Sequence, residues 1–469
     1  MGPTFLNTLG GCLMATAFVW GLVLGWWDVK GHEPTAVDLA LHLGALPLAL
    51  IGGYFLLRGF IDHVLALQPV AVPAGAATLD EDPVASTRRY SAVAECGLSL
   101  GLLDAWMVTP GGRSGAELWA AVGAGERPRP SARLVDEAGF PVFVAEVEGL
   151  DVEGLGERLQ VGLPAQEAWL ASDEVLRSLA LLDGVLREAL QRMAGLAARP
   201  GLQLRCICLL PAHWDAAHFP WLHSWLQRTY FAGFAPGRCE LSLVPAADDA
   251  GALQQVDDIC VALNREPDAE RLVLLASAVS ALDARVLAGW AARGRLAPAG
   301  HPERRVPGEG GVALLLASPV QALRLADGPR TPVQLGRLAM GRPGQATGAG
   351  GRSLNPLIRE VLAAWRLDGA QLTALVGDGG QYASQAIEVL EALAAAGARL
   401  DPLVDCLATA RVVGSAAPAG GLVALACAAS RARATGGLVL CLGNQDDSPR
   451  AALLVRPLAV PPPGQPPRP

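Results

Sequence analysis

Arg305-Val-Pro-Gly-Glu-Gly-Gly-Val-Ala-Leu-Leu-Leu-Ala317 ends in a run, Val312–Ala317, that is apolar at every position. A strand with one face in water alternates polar and apolar residues, so an unbroken apolar run suits a strand buried on both faces. Runs of the same kind recur on either side, at Leu204–Leu210, Leu272–Ala276, Leu372–Val376, Leu438–Leu442 and Ala451–Val455. Between them lie stretches with helical spacing, at Ala165–Ala198, Ala252–Asn264, Ser280–Arg293, Leu354–Arg366, Ser384–Ala396 and Gly420–Arg433. Apolar strands separated by helices predict an α/β protein with a mostly parallel sheet covered on both faces.

The chain begins differently. Phe5–Trp27 has no charged residue between its ends, and Leu39–Leu57 is a second, shorter apolar run containing His42 and Pro47. About 20 mostly apolar residues cross a bilayer, so the expectation is a transmembrane helical hairpin over residues 1–67. A cleaved signal peptide is the poorer fit, because no basic segment precedes the first run and bulky Trp26 and Trp27 end it. Arg58, Arg88 and Arg89 follow the second run, and the short connection holds Asp28, Lys30, His32, Glu33 and Asp38. Basic residues favour the cytoplasmic side, which predicts a bacterial inner-membrane protein whose soluble part faces the cytoplasm. Residues 68–87, rich in Pro, Ala and Gly, read as a linker, and residues 457–469 as a disordered proline-rich tail.

Composition excludes several functions. With 37 basic against 45 acidic side chains and no basic stripe with interleaved aromatics, nucleic acid is not an expected partner. Most of the nine cysteines sit inside apolar runs, as buried thiols in a reducing compartment do. Thr347–Ser353 approaches a phosphate-binding loop but has Ala346 in place of the first glycine and Arg352 in place of the lysine. His213, His218 and His223 recur every five residues, which spreads them around a helix, so no metal is expected. No cofactor motif occurs either.

The order and spacing of the segments resemble the β-ketoacyl synthases and other thiolase-fold proteins, in which P-G-E-G-A leads into a buried strand, as Pro307-Gly-Glu-Gly-Gly311 does here. Ala252–Ser277 is similar to the family's helix, break and strand. Gly414-Ser-Ala-Ala-Pro-Ala-Gly-Gly421 before an alanine-rich helix looks like its G-H-x-x-x-A-A-G element. Ile387-Glu388 falls where the family has an acidic residue after its H-G-T-G-T loop, and Leu438–Val455 resembles its closing pair of strands. The resemblance covers roughly residues 203–456. It implies an α/β thiolase-like layered fold of two related halves, 88–300 and 301–456, behind the hairpin.

The same resemblance implies a vacant reaction centre. The family uses a cysteine at a helix N-terminus and two histidines that stabilise the oxyanion. The cysteine position falls at Asp248 and Asp249, the first histidine at Gly377 or Asp378, and the second at Ser415. Condensation by this chain is therefore not expected. The layout, with Tyr90–Val122 pairing a strand with a Glu117-Leu-Trp-Ala-Ala helix, is similar to the adaptor family that accompanies phospholipase effectors of the bacterial type VI secretion system. That resemblance implies a non-catalytic, membrane-tethered adaptor for an effector and a spike protein. Two other readings stand beside it: an inactive partner subunit of a ketosynthase, chain-length-factor-like, in fatty acid or polyketide synthesis, and a membrane enzyme using Glu309 or Asp378. Trp214, Phe219, Trp221, Trp225, Tyr230 and Phe231 are crowded into a chain with only 5% aromatic residues. They form a candidate partner surface, with a core contact of a helix or a homodimer contact as the alternatives.

Overall fold

A computed structural model describes residues 97–458 except 161–166, 198, 200, 236, 297–304, 327–330, 342–353 and 446–448, together with seven isolated positions between 16 and 42. The chain divides into two units, Met1–Arg88 and Arg89–Pro469. In the first, Thr16, Trp20, Val23, Trp26, Trp27 and Lys30 are helical. The rest of both apolar runs lies outside the described residues, as does the expected linker. Among the described residues no helix is long and apolar enough to cross a membrane. The tail from residue 459 is also outside them.

The second unit is built on one eleven-stranded sheet whose strand order is repeated. The first set is β1 (Leu100–Val108), β4 (Gln203–Pro211), β5 (Cys239–Ala246), β6 (Arg271–Ser280) and β7 (Glu309–Ala317). Its order is β5-β4-β6-β7-β1, with β4 parallel to β5 and β6, and β7 antiparallel to β6 and β1. The second set is β8 (Val333–Leu335), β10 (Leu372–Gly377), β11 (Cys406–Ala408), β12 (Leu438–Gly443) and β13 (Ala451–Pro457). It runs β11-β10-β12-β13-β8 with the same parallel and antiparallel pattern. The short strand β9 (Ala339–Met340) pairs with β13, and β8 joins β1 to close the sets into one sheet. The mostly parallel sheet expected from the apolar runs is thus a mixed one. Buried parallel and antiparallel strands carry the same unbroken apolar pattern, so residue type does not separate them.

Helices cover the sheet in layers. On the outer face of the first half lie α3 (Asp173–Ala197), which packs on β6, β7 and β1, and α4 (Phe219–Tyr230), which packs beside β5. The outer face of the second half carries α8 (Leu354–Ala364) and α9 (Ala383–Ala395). Two helices fill the middle: α5 (Asp249–Arg265) and α11 (Ala419–Thr435). The smaller elements are α1 (Gly115–Gly123), the hairpin β2 (Arg129–Val135) and β3 (Pro141–Val144), α2 (Val152–Gln160), α6 (Ala284–Ala292), α7 (Pro319–Arg324) and the single turn α10 (Ala410–Val413).

Local chemistry explains the two middle helices. Asp248 caps α5, its Oδ1 accepting from the Gly251 N–H at 2.7 Å. Leu253, Val256, Cys260 and Leu263 then bury one stripe. Helix α11 has no polar side, and 12 of its 17 residues are buried. It packs against β1, β7, β10, β12 and β13, strands of both halves, and only a helix apolar all round can do that. It ends at Gly436 in the left-handed conformation (φ 66°).

Polar ties cross between the halves. Arg337 forks onto Asp257 of α5 at 2.7 and 2.9 Å, and Asp257 also accepts from the Leu338 N–H. Gly308 and Gly414 pass so closely that a Cβ on Gly308 would overlap the Val413 carbonyl oxygen and lie 2.8 Å from Gly414 Cα. Gly414 has φ 71°, which a side chain strains. Gly308→Ala is expected to lower stability by about 1–3 kcal/mol. Gly310→Ala, whose Cβ would meet nothing closer than 3.7 Å, is expected to do so far less. Chemical denaturation of the full-length protein measures both, and equal effects would remove the crossing as a determinant.

Candidate functional site

The site is where α5 begins. Asp249 occupies the first turn of α5 with 1% of its surface exposed, and its Oδ1 accepts from the Gly421 N–H at 2.9 Å. Gly421 lies in the first turn of α11, so two helix N-termini converge on this carboxylate, and both dipoles favour a negative charge there. Gly420 and Gly421 make the approach possible. A Cβ on Gly420 would come within 3.1 Å of the Asp249 carboxylate, and one on Gly421 within 2.9 Å of its carbonyl oxygen.

Asp378 arrives from the other half, immediately after β10, and is 2% exposed. Its Oδ1 accepts from the Asn444 N–H at 2.7 Å and its carbonyl from Gln445 Nε2 at 2.6 Å, while Oδ2 has no hydrogen-bond partner among the described residues. Burial pushes the Asp378 carboxyl well above the usual carboxylate range, and the charge of Asp249 pushes it further, against the Asn444 N–H and Arg450. Asp249 is raised by burial to about 6, against the Gly421 N–H.

Ser415 is buried, but its backbone is what the structure uses: its N–H donates to the Val306 carbonyl at 2.8 Å and its carbonyl accepts from the Gly308 N–H at 3.3 Å. Gly377 closes β10, its carbonyl accepting from the Thr409 N–H at 2.9 Å. The structure thus buries Asp249 and Asp378 near enough for the charge of Asp249 to bear on Asp378, with Asp248 capping α5. It gives Gly377 and Ser415 backbone roles in the loops around that contact. Described cysteines stand elsewhere: Cys260 lies near the far end of α5, Cys427 within α11 and Cys441 in β12. Burial raises the thiols of Cys260 and Cys427 to about 12, which disfavours the nucleophilic thiolate.

Glu309, in the Pro-Gly-Glu-Gly segment, is fully buried and fully used. Its carboxylate accepts from Arg177 Nε at 2.8 Å, Ser280 Oγ at 2.7 Å and the Val147 N–H at 2.7 Å, and Arg177 Nη2 completes the fork. A carboxylate with every lone-pair direction committed is a pin between β7, α3 and the segment after β3. Glu388 is likewise paired, with Arg450 at 3.0 Å.

The aromatic segment forms a packed row. Trp214, Trp225 and Phe231 are buried, and Phe219, Trp221 and Tyr230 are half-buried at the edge of the first half's outer core. Trp169, unremarked in the sequence, organises the row: it stacks on His218 at 4.5 Å and meets Trp214 and Trp221 edge-on. The three histidines go separate ways. His213 pairs with Glu174, which raises its pKa, His218 lies on Trp169, and His223 reaches the Leu241 carbonyl at 3.2 Å. A cavity of about 330 Å³ lies at the ends of β4 and β5, lined by Pro211, Ala212, His213, Ala246, Ala247 and Ala417. It opens beside Asp248 in the chain, and neither Asp249 nor Asp378 lines it.

Among solved structures the chain is similar to the ketosynthase from module 6 of the bacillaene synthase of Bacillus subtilis 168, at 13% identity and a TM-score of 0.54, over 76% of this chain and 72% of that one. It is similar to a type II polyketide ketosynthase in complex with its acyl-carrier protein, at 13% identity and a TM-score of 0.51, over 77% and 99% of the two chains. A Streptomyces albus JA3453 oxazolomycin ketosynthase domain matches at 15% identity and a TM-score of 0.50, over 79% and 76%. No protein-family model matches the chain, and no curated protein does. Identities this low speak to the fold alone, which is a mixed α/β, thiolase-like one.

The Arg177–Glu309 pair yields a test of role. Glu309→Gln leaves the buried Arg177 guanidinium with Glu146 at 3.2 Å but without its fork, and is expected to destabilise by about 1–3 kcal/mol. The double variant Arg177→Met/Glu309→Gln is expected to recover part of that loss. Denaturation midpoints of the full-length protein decide, and an unaltered midpoint in Glu309→Gln would free this carboxylate for chemistry.

Proposed function

We propose that this chain is a non-catalytic thiolase-fold subunit that acts by binding another protein, with an active ketosynthase as the partner its own architecture fits best. The observation that carries the proposal is the carboxylate pair. Positions that the sequence resemblance assigns to a cysteine and a histidine hold Asp249 and Asp378, both buried and both with carboxyls raised above the ordinary carboxylate range. A thiolate placed there would face a carboxylate where an imidazole is required, and Asp248 would repel it as well.

The surface that serves the partner is the free side of β5. This strand ends the sheet, pairing with β4 alone among the described residues. Ser242, Leu243 and Val244 are half-buried on it, and exposed Pro245 removes one donor from the edge. Beside it, α4 presents Phe219, Trp221 and Tyr230, and the Trp221 indole N–H is buried without a hydrogen-bond acceptor among the described residues. A buried donor left unmet favours an arrangement that supplies an acceptor.

The adaptor reading is favoured by the two apolar runs at the N-terminus, which would hold the partner at a membrane. Cross-linking and mass spectrometry on the full-length protein isolated in detergent separates the two. Recovery of a ketosynthase carrying the active-site cysteine supports the first, and recovery of a lipase effector supports the second. A chain that cross-links to neither, or to itself alone, would defeat both. Leu243→Glu is expected to weaken the complex at least about tenfold in a titration, and full retention of affinity would move the interface away from β5.

A further inference from the structure

A larger cavity, of about 440 Å³, is lined by Leu190 and Ala194 of α3, by Tyr230 at the end of α4, and by Phe234, Ala235 and Arg238 on the way into β5. Its walls are apolar except at Arg238 and the Tyr230 hydroxyl. That hydroxyl is already committed, donating to Asp183, which also accepts from Arg187 Nε at 2.7 Å and Arg158 Nη2 at 3.1 Å. Asp183 is therefore neutralised, and Tyr230 has its ring left to offer. Trp225 braces that ring edge-on at 5.7 Å, and Phe234, tilted on Phe231 at 6.1 Å, carries the aromatic row into the cavity.

Arg238 is the charged member of the lining, and main-chain carbonyls hold it. Its Nε and Nη2 donate to the Leu202 carbonyl at 3.2 and 3.0 Å, and Nη2 donates to the Arg199 carbonyl as well. Those carbonyls lie in the connection between α3 and β4, so three of the five guanidinium N–H groups have a structural task. The two on Nη1 have no acceptor among the described residues and are not buried. No carboxylate of the described residues pairs with this side chain, and a guanidinium does not shed its proton. A full positive charge therefore stands, fixed in place and without a counter-ion, at an apolar cavity of a chain whose net charge is −8.

We infer that this cavity binds an organic monocarboxylate with an apolar body. The carboxylate sits on Arg238 Nη1, and the body lies along Leu190, Ala194, Phe234 and the ring of Tyr230. One guanidinium balances one negative charge, which favours a carboxylate over a phosphate dianion. With Nε and Nη2 occupied, the arginine meets its ligand at one nitrogen and reads charge, without the two-pronged geometry of a free guanidinium. The volume admits on the order of 15 non-hydrogen atoms at about 30 Å³ each, which suits a short aliphatic or arylalkanoic acid and is too small for a two-chain lipid.

This site is independent of which protein the chain binds, and neither Asp249 nor Asp378 lines it. A purely structural Arg238 would hold the connection before β4 and have no bearing on which small molecule the protein takes up. A binding Arg238 sets the preference for a charged ligand over a neutral one of the same shape.

Equilibrium dialysis of the full-length protein against 4-phenylbutyrate and against its neutral amide, with uptake by the detergent carrier alone subtracted, tests the site. The acid is expected to bind at least about tenfold more tightly than the amide, as a hydrogen bond between two charged groups would give. In Arg238→Gln the two are expected to bind alike. Ala194→Trp, at an exposed position of α3, fills the cavity and keeps Arg238. It is expected to weaken the acid at least about tenfold with the unfolding midpoint unchanged, so it decides the matter if Arg238→Gln does not fold. No saturable uptake of the acid, equal uptake of acid and amide by the wild type, a preference for the acid that survives in folded Arg238→Gln, or undiminished affinity in Ala194→Trp would each overturn the assignment.

Discussion

Everything in the second unit is organised by the side-by-side start of α5 and α11. Helix α11 touches strands of both halves and has almost no polar surface, so it has no stable position except between them. Gly420 and Gly421 let α5 approach it closely, and the two N-termini then point their unsatisfied N–H groups at one spot. A carboxylate, Asp249, fills that spot. The packing of two helices thus places a charge in the core, and the core in turn decides how that charge titrates.

The repeated strand order gives the arrangement its symmetry. Each half sends one middle helix and one loop toward the same junction, and each half's loop is carried past the other by glycine, at Gly308 and Gly414. Polar ties are kept to the margins of the contact: Arg337 on Asp257, and Arg433 at the end of α11 on the Leu102 and Leu103 carbonyls at 3.1 and 3.0 Å. The Arg177–Glu309 fork pins the outer helix α3 to the strand that follows Pro307-Gly308. The junction buries two acids, Asp249 and Asp378, with a small cavity outside them that neither lines.

The six apolar runs read from the sequence are β4, β6, β7, β10, β12 and β13, each within a few residues, and the helical stretches between them are also found, the first broken at residues 171–172. Strands β5 and β11 escaped because they lie at the sheet edges, where residues are half-exposed and the apolar pattern fades. The hairpin β2–β3 escaped for the same reason. Trp169 was passed over because its importance comes from His218, Trp214 and Trp221, residues more than forty positions away.

Residue type and order by themselves determined the layered α/β fold and the buried strands. These follow from local rules, because burial of a strand or the start of a helix leaves a pattern in neighbouring residues. Only the tertiary structure decided strand direction, the commitment of Glu309 to Arg177, and the burial of Asp249 and Asp378. Those depend on which distant segments share a dry interior, since a carboxyl's proton affinity is set by surroundings that the chain brings together only when it folds.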